Sequence, residues 1–145
     1  MQSNYFALEP VIVARLKTIG GVLAINTPFN VDDMLQITNC SPSLNVIYVG
    51  DRVGESAGRG RAVPVIQQWL IVLAVNDASS QLEETSNIRK TADPFIREIL
   101  EKMQGFDPGI AGFRPFERVD SGVNVGSASG FAYFPYLFES QVIVQ

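Results

Sequence analysis

One run dominates the sequence: residues 62–77, AVPVIQQWLIVLAVND, are its longest nearly uncharged apolar stretch. Val63, Val65, Ile66, Ile71, Val72 and Val75 are β-branched, which suits a pleated and packed surface. In a strand, Val65, Trp69, Ile71, Leu73 and Val75 point to one face, and Ile66, Leu70, Val72 and Ala74 to the other. Both faces are then apolar along the second half, which predicts a central strand covered on both sides. A buried helix is the competing reading. Pro64, the β-branched density and the closing Asn76-Asp77 count against it. Gln67 and Gln68 point to opposite faces near the start, and Pro64, lacking an N–H, delays pairing on its donor side.

The rest of the chain supplies what such a strand needs around it. With 145 residues it reads as a single domain, 1–145, able to bury roughly two thirds of its unfolded surface. Tyr5, Leu8, Ile12, Leu16 and Ile19 recur at three- and four-residue steps, predicting an amphipathic helix closed by Gly20-Gly21, with Pro10 at its first position or inside it. Residues 22–26 predict a short strand. Asn30 is placed to cap a helix over 31–36, with Asp32 and Asp33 where the helix dipole favours negative charge. Residues 44–50 alternate as a second strand, and 50–61, rich in glycine and arginine, read as a flexible hairpin connection into the central strand. A helix is expected over 81–104, kinked or broken at Pro94. A strand is expected over 112–118, a mobile loop over 120–130, and a closing aromatic strand over 131–144 that Pro135 makes an edge or bulged strand. The order α, β, α, β, β, α, β, β predicts an α+β fold: a mixed or antiparallel sheet with helices packed mainly on one face.

Composition narrows the function. Hydrophobic residues are 46% and charged residues 18% of the chain, too apolar for disorder and apolar enough to suggest burial against other subunits. No window is long enough to span a bilayer, and the amino terminus lacks the order of a signal peptide, so a chain made and kept in the cytoplasm is expected unless it leaves within something larger. A formal charge of -4 argues against wrapping nucleic acid. Cys40, the single cysteine, has no internal disulfide partner. Histidine is absent, which removes the commonest general base and the commonest transition-metal ligand together.

Gly54-Glu55-Ser56-Ala57-Gly58 matches the G-x-S-x-G nucleophile elbow in letters and fails it in context. The elbow requires a strand before the serine, a helix after it and a histidine to take its proton. Here Arg59-Gly60-Arg61 and a strand follow. No lysine follows a glycine as a phosphate loop requires. No catalytic, metal or cofactor site is expected. Arg52, Arg59 and Arg61 give the connection a local positive excess over Asp51 and Glu55, suited to a partner's carboxylates or to the phosphates of passing DNA, or else simply solvated. Arg114 and Arg118, beside Phe113 and Phe116, are further candidate interface residues. Phe131, Tyr133, Phe134, Tyr136 and Phe138 alternate too regularly to share one core, so some should meet another subunit or lie under a helix.

Five segments together carry a resemblance: ALEPVIVARLKTIGG near the start, PSLNVIYVGDRVG leading into the arginine loop, WLIVLAVND, the long helix ending near MQGF, and the aromatic close FESQVIV. In them the chain resembles the tail terminator proteins of tailed bacteriophages, particularly those with long contractile tails. The resemblance covers nearly the whole chain as a pattern of apolar and punctuating positions. It implies a structural virion protein without enzymatic residues or cofactor, forming a hexameric ring with copies of itself; the alternatives are another neck or head-tail connector subunit, or a small-ligand-binding domain. That ring would cap the tail tube, end tail polymerisation and offer a docking surface to neck or connector proteins, with the sheath protein a further neighbour. DNA would pass through without being specifically bound.

Overall fold

The computed structural model describes residues 4–54, 62–76 and 85–144. Its elements run α1 (Leu8–Leu16), β1 (Ala24–Asn26), α2 (Val31–Ile37), β2 (Ser43–Val53), β3 (Val63–Asn76), α3 (Thr85–Met103), β4 (Glu117–Val119), β5 (Gly126–Ala128) and β6 (Phe131–Val144). The strands form one mixed six-stranded sheet in the order β1-β2-β3-β6-β4, with β5 also on β6. The fold is α+β, as its element order predicts.

β3 is the central strand. It pairs antiparallel with β2 on one side and along its whole length with β6 on the other. The two expected faces are both there. Val65, Trp69, Ile71, Leu73 and Val75 join α1 and α3 in the larger core, with Leu8, Ile12, Leu16 and Ile19 from the α1 segment and Ile88, Ala92, Ile99 and Met103 from α3. Leu70, Val72 and Ala74 join a smaller core with Met34 of α2, Ile47, Tyr133 and Leu137. Two helices thus cover one face. α2 covers the other because it carries the crossover between β1 and β2, which are parallel and need such a connection. Asn30 caps α2 as expected, its Oδ1 accepting from the Asp33 N–H at 2.8 Å.

Several boundaries differ from the sequence reading. α1 ends at Leu16, short of Gly20-Gly21, and Ile19 reaches the core from the turn that follows. Pro10 sits in the first turn of α1, where backbone N–H groups have no intrahelical acceptor. β1 begins at Ala24, two residues late. α3 runs unbroken through Pro94: the proline is exposed, and Ala92, Phe95, Ile96 and Ile99 hold the helix to the core on both sides of it.

β2 continues to Val53, so residues 50–53, expected in a flexible connection, are ladder residues paired with 65–68. A bulge between Tyr48 and Gly50, where φ is 139°, absorbs the glycine within the strand. The 112–118 strand is shorter than expected, reduced to β4 with an isolated bridge from Phe113 to Val142. The expected mobile loop over 120–130 contains β5, joined to β6 by a two-residue turn. Ser129 and Gly130 both have positive φ, 52° and 85°, as the tight hairpin turn matching strand twist demands.

Pro135 neither bulges β6 nor places it at the edge of the sheet. It lies opposite Val72 in the β3 ladder. On the outer side, β4 reaches only Leu137 and β5 only Tyr133, so residues 134–136 have no outer neighbour there. Missing an N–H is least costly where no strand waits to accept it.

Candidate functional site

The two edges of this sheet are unlike: on the β4 side the Phe116 N–H and carbonyl are bonded to Phe106 O and Gly105 N at 2.9 Å, whereas the β2 side is open over part of its length. On the β2 side, β1 pairs only with residues 43–45. Beyond Asn45 the outer edge of β2, residues 46–53, has no strand partner among the described residues. Residues 46–49 of that edge line a groove of about 700 Å³, which Ser121 and Val123 from the segment between β4 and β5 also border. Phe6 and Glu9 form one wall, Pro28, Phe29 and Val31 the other, and Val49 stands on the rim. Phe29 is 83% exposed, Val49 52% and Phe6 45%, an apolar cluster that a water-facing surface does not need.

Aromatic packing and one buried amide position the first wall. Phe6 meets the Tyr48 ring edge-on at 4.9 Å between centroids, and Tyr48 leans on Trp69 at 5.1 Å. Gln67, fully buried, donates from Nε2 to the Tyr5 carbonyl at 2.7 Å and accepts from Trp69 Nε1 at 3.2 Å. The Tyr5 and Tyr48 hydroxyls both donate to Asp51 Oδ2, at 2.6 and 3.0 Å. Burial first, and then the Asp51 carboxylate, raise both phenols above the ordinary tyrosine range. Tyr5 is gripped at both ends, and Phe6 is held in place by it.

The opposite edge is made by the segment 113–119 along β6 and by β5. Between β4 and β5 lies a notch bordered by Arg118, Asp120, Pro135 and Tyr136. Arg118 lies over the Tyr136 ring at 5.2 Å. Burial raises the Tyr136 phenol, and the arginine's charge partly opposes that. Arg114 is exposed, with its backbone tied down on both sides: its N–H donates to Gln141 O at 2.9 Å and its carbonyl accepts from Ser140 Oγ at 2.7 Å.

The candidate arginines therefore divide. Arg52 is a strand residue in an ion pair with Glu139, Nη2 to Oε1 at 3.0 Å and Nε to Oε2 at 3.3 Å, and Gln68 Nε2 adds 2.8 Å to the same carboxylate. Arg52 holds the Glu139 carboxyl below its ordinary range, with Gln68 adding to the effect and burial opposing it. Arg114 and Arg118 share the β4 edge, and Arg118 lies on the face opposite to the Arg52–Glu139 pair, because Tyr136 and Glu139 alternate on β6. Arg59 and Arg61, with Ser56, lie outside the described residues. The apolar rim was not anticipated. Phe29 between Pro28 and Asn30 was its one signal, an aromatic in a turn with no periodic place in a core.

No group of three or more potential metal ligands occurs among the described residues, and the groove offers apolar surface beside the open outer side of β2. No curated protein matches the sequence. The family model described as phage tail terminator protein matches residues 1–145, the full chain, and the chain belongs to that family.

Proposed function

We propose that this tail terminator closes with copies of itself into a ring, six subunits by the resemblance, that caps the tail tube and ends its polymerisation. The ring then presents the docking surface for neck or connector proteins, borders the sheath, and lets DNA pass without specific binding. It is assembled in the host cytoplasm and carried in the virion. The family match over the whole chain carries the reading. Two unlike edges on one sheet support it, because a head-to-tail ring needs two different surfaces on each subunit. The net charge of -4 supports free passage of DNA.

The test is capping. Purified tail tubes elongating from tube subunits should stop growing when the protein is added, with a ring at the tip in negative stain; growth at an unchanged rate would overturn the proposal. Arg59 and Arg61 lead into β3, whose start is beside the open end of β2, and we assign them to a neighbour contact. The charge-reversing pair Arg59→Glu and Arg61→Glu should lose capping while keeping its circular dichroism spectrum, and normal capping by that pair removes the loop from the interface.

A further inference from the structure

We infer that residues 120–125, between β4 and β5, form a strap that covers part of the groove in the free subunit and is released when the subunit assembles on the tube. The release rests on the ring reading, and the strap rests on the ladder and the voids around it.

The ladder gives the strap its slack. Val119 pairs with Leu137 and Gly126 with Tyr133, so six residues, 120–125, pass where β6 has three, 134–136. Four ladder steps cover about 13 Å, and seven steps of chain reach about 23 Å. The surplus cannot lie in the sheet. Pro135 makes its absence cheap, having no N–H to leave unpaired.

That surplus runs to the groove. Ser121 and Val123 border it together with Pro28, Phe29 and Val31. Val123 and Asn124 also border a second void of about 180 Å³, with Met34, Val72 and Tyr133. Val31, Leu70 and Val123 are common to both, so the strap runs between two gaps. Close packing leaves few gaps of that size where a segment is fixed in place.

Its attachment is weak. Among the described residues, 120–125 make no backbone–backbone hydrogen bond outside the strand ladders. The Ser121 hydroxyl donates to Val123 O at 2.8 Å and accepts from the Val123 N–H at 3.1 Å, both inside the strap. Val123 is 42% exposed and Val125 62%, so the covered part of the Val123 side chain is what holds the strap at the groove. A segment with so few buried contacts opens at low cost.

A second berth lies beside it. The notch along the vacant outer side of β6, about 670 Å³, is bordered by Asp120 and Ser121 together with Pro135 and Tyr136. Ser121 is common to groove and notch, and Gly122, at φ 68°, follows it as a hinge toward Val123. Moving Val123 from groove to notch uncovers the groove beside Val31 and Leu70. A contact made there selects the open position, and the strap competes with it.

Val123→Ser tests this through the sign of its effect. Serine weakens the closed position and leaves the open one alone, so capping should need about threefold to tenfold less protein. Weaker capping by the folded variant makes Val123 a contact, unchanged capping makes the strap inert, and either overturns the inference.

The second measurement follows the strap itself. Spin labels at Gln36→Cys on α2 and Asn124→Cys, both exposed, in a Cys40→Ser background, report the strap's distance from α2, whose Leu35 borders the same void. On tube tips that distance should lengthen by about 5–10 Å, one to two strand spacings. Capping without lengthening sinks the strap and leaves the ring reading standing. In the free protein, Val123→Ser should already shift the distances toward the longer value. A distribution identical to that of the protein with Val123 overturns the strap, whether or not tubes are capped. Wild type that fails to cap removes the ring reading, and the free-protein comparison then decides the strap alone.

Discussion

Gln67 offers the sharpest test of how the interior supports the groove. Replacing it by leucine keeps the volume near that of the amide, so no large cavity opens. Two polar groups lose their partner: the Trp69 indole N–H, 1% exposed, and the Tyr5 carbonyl at the foot of the groove wall. An orphaned buried donor costs about 1–3 kcal/mol, and the carbonyl, nearer water, costs less. Subtracting the gain from an apolar side chain leaves a net loss of about 2 kcal/mol, or roughly 5–8 °C in melting temperature for a domain of this size. Trp69→Phe removes the orphaned donor. In that background Gln67→Leu should cost about 1 kcal/mol less, a coupling that a double-mutant cycle measures directly. Thermal melts of the four proteins by circular dichroism give the numbers. A neutral or stabilising Gln67→Leu, or a coupling near zero, would refute the assignment of the indole to Gln67 and with it the clamp on Tyr5.

Glu139→Gln should destabilise the protein near neutral pH and progressively less in acid. The native carboxyl is held below its ordinary value of 4.5, so its contribution is complete above that value and is lost as pH falls through the folded one. Denaturant midpoints from pH 7 to pH 3 follow this, and a gap that does not narrow would refute the ion pair's contribution. Ser129, at φ 52° before Gly130, should accept asparagine with a gain of about 0.5 kcal/mol and valine only at a loss of about 1–2 kcal/mol; equal melting temperatures for the two variants would remove the turn assignment. Gly21→Ala combines φ 87° with a new methyl 3.4 Å from the Phe95 ring, and should cost about 1–2 kcal/mol in denaturant titration. No loss there would mean that the turn after α1 relaxes freely.

What could be read in advance divides along physical lines. β3, β6, the α2 cap and the two-faced core were legible because side-chain periodicity and capping are local signals with large energies behind them. The course of β2 past Gly50 was hidden because the signal for a loop, glycine with charge, is the same as that for a bulged edge strand: Arg52 is held there by Glu139, 87 residues away. β5 was hidden behind its own composition, since small and polar residues form a strand only when a hairpin turn delivers them to β6. Pro135 misled in the opposite sense. Proline marks a missing partner on one side of a strand, and the gap between β4 and β5 supplies that vacancy inside the sheet's own span. The arginines were legible as charges and illegible as contacts, because a guanidinium's partner depends on register.

The most constrained stretch of the chain is also the one with nothing left to offer a partner. From Val65 to Val75, β3 is covered on both faces and paired on both edges, so that stretch is committed to the fold. On the ring reading, a contact belongs where that commitment ends, and the outer side of β2 beyond Asn45 is such a place. A protein selected to remain alone blunts such edges with bulges, charge or proline. This one has its bulge at Tyr48 to Gly50 and its proline at 135, and between the walls of the groove it keeps apolar rim residues and open backbone. Those are costs in a monomer, and on the ring reading they become contacts.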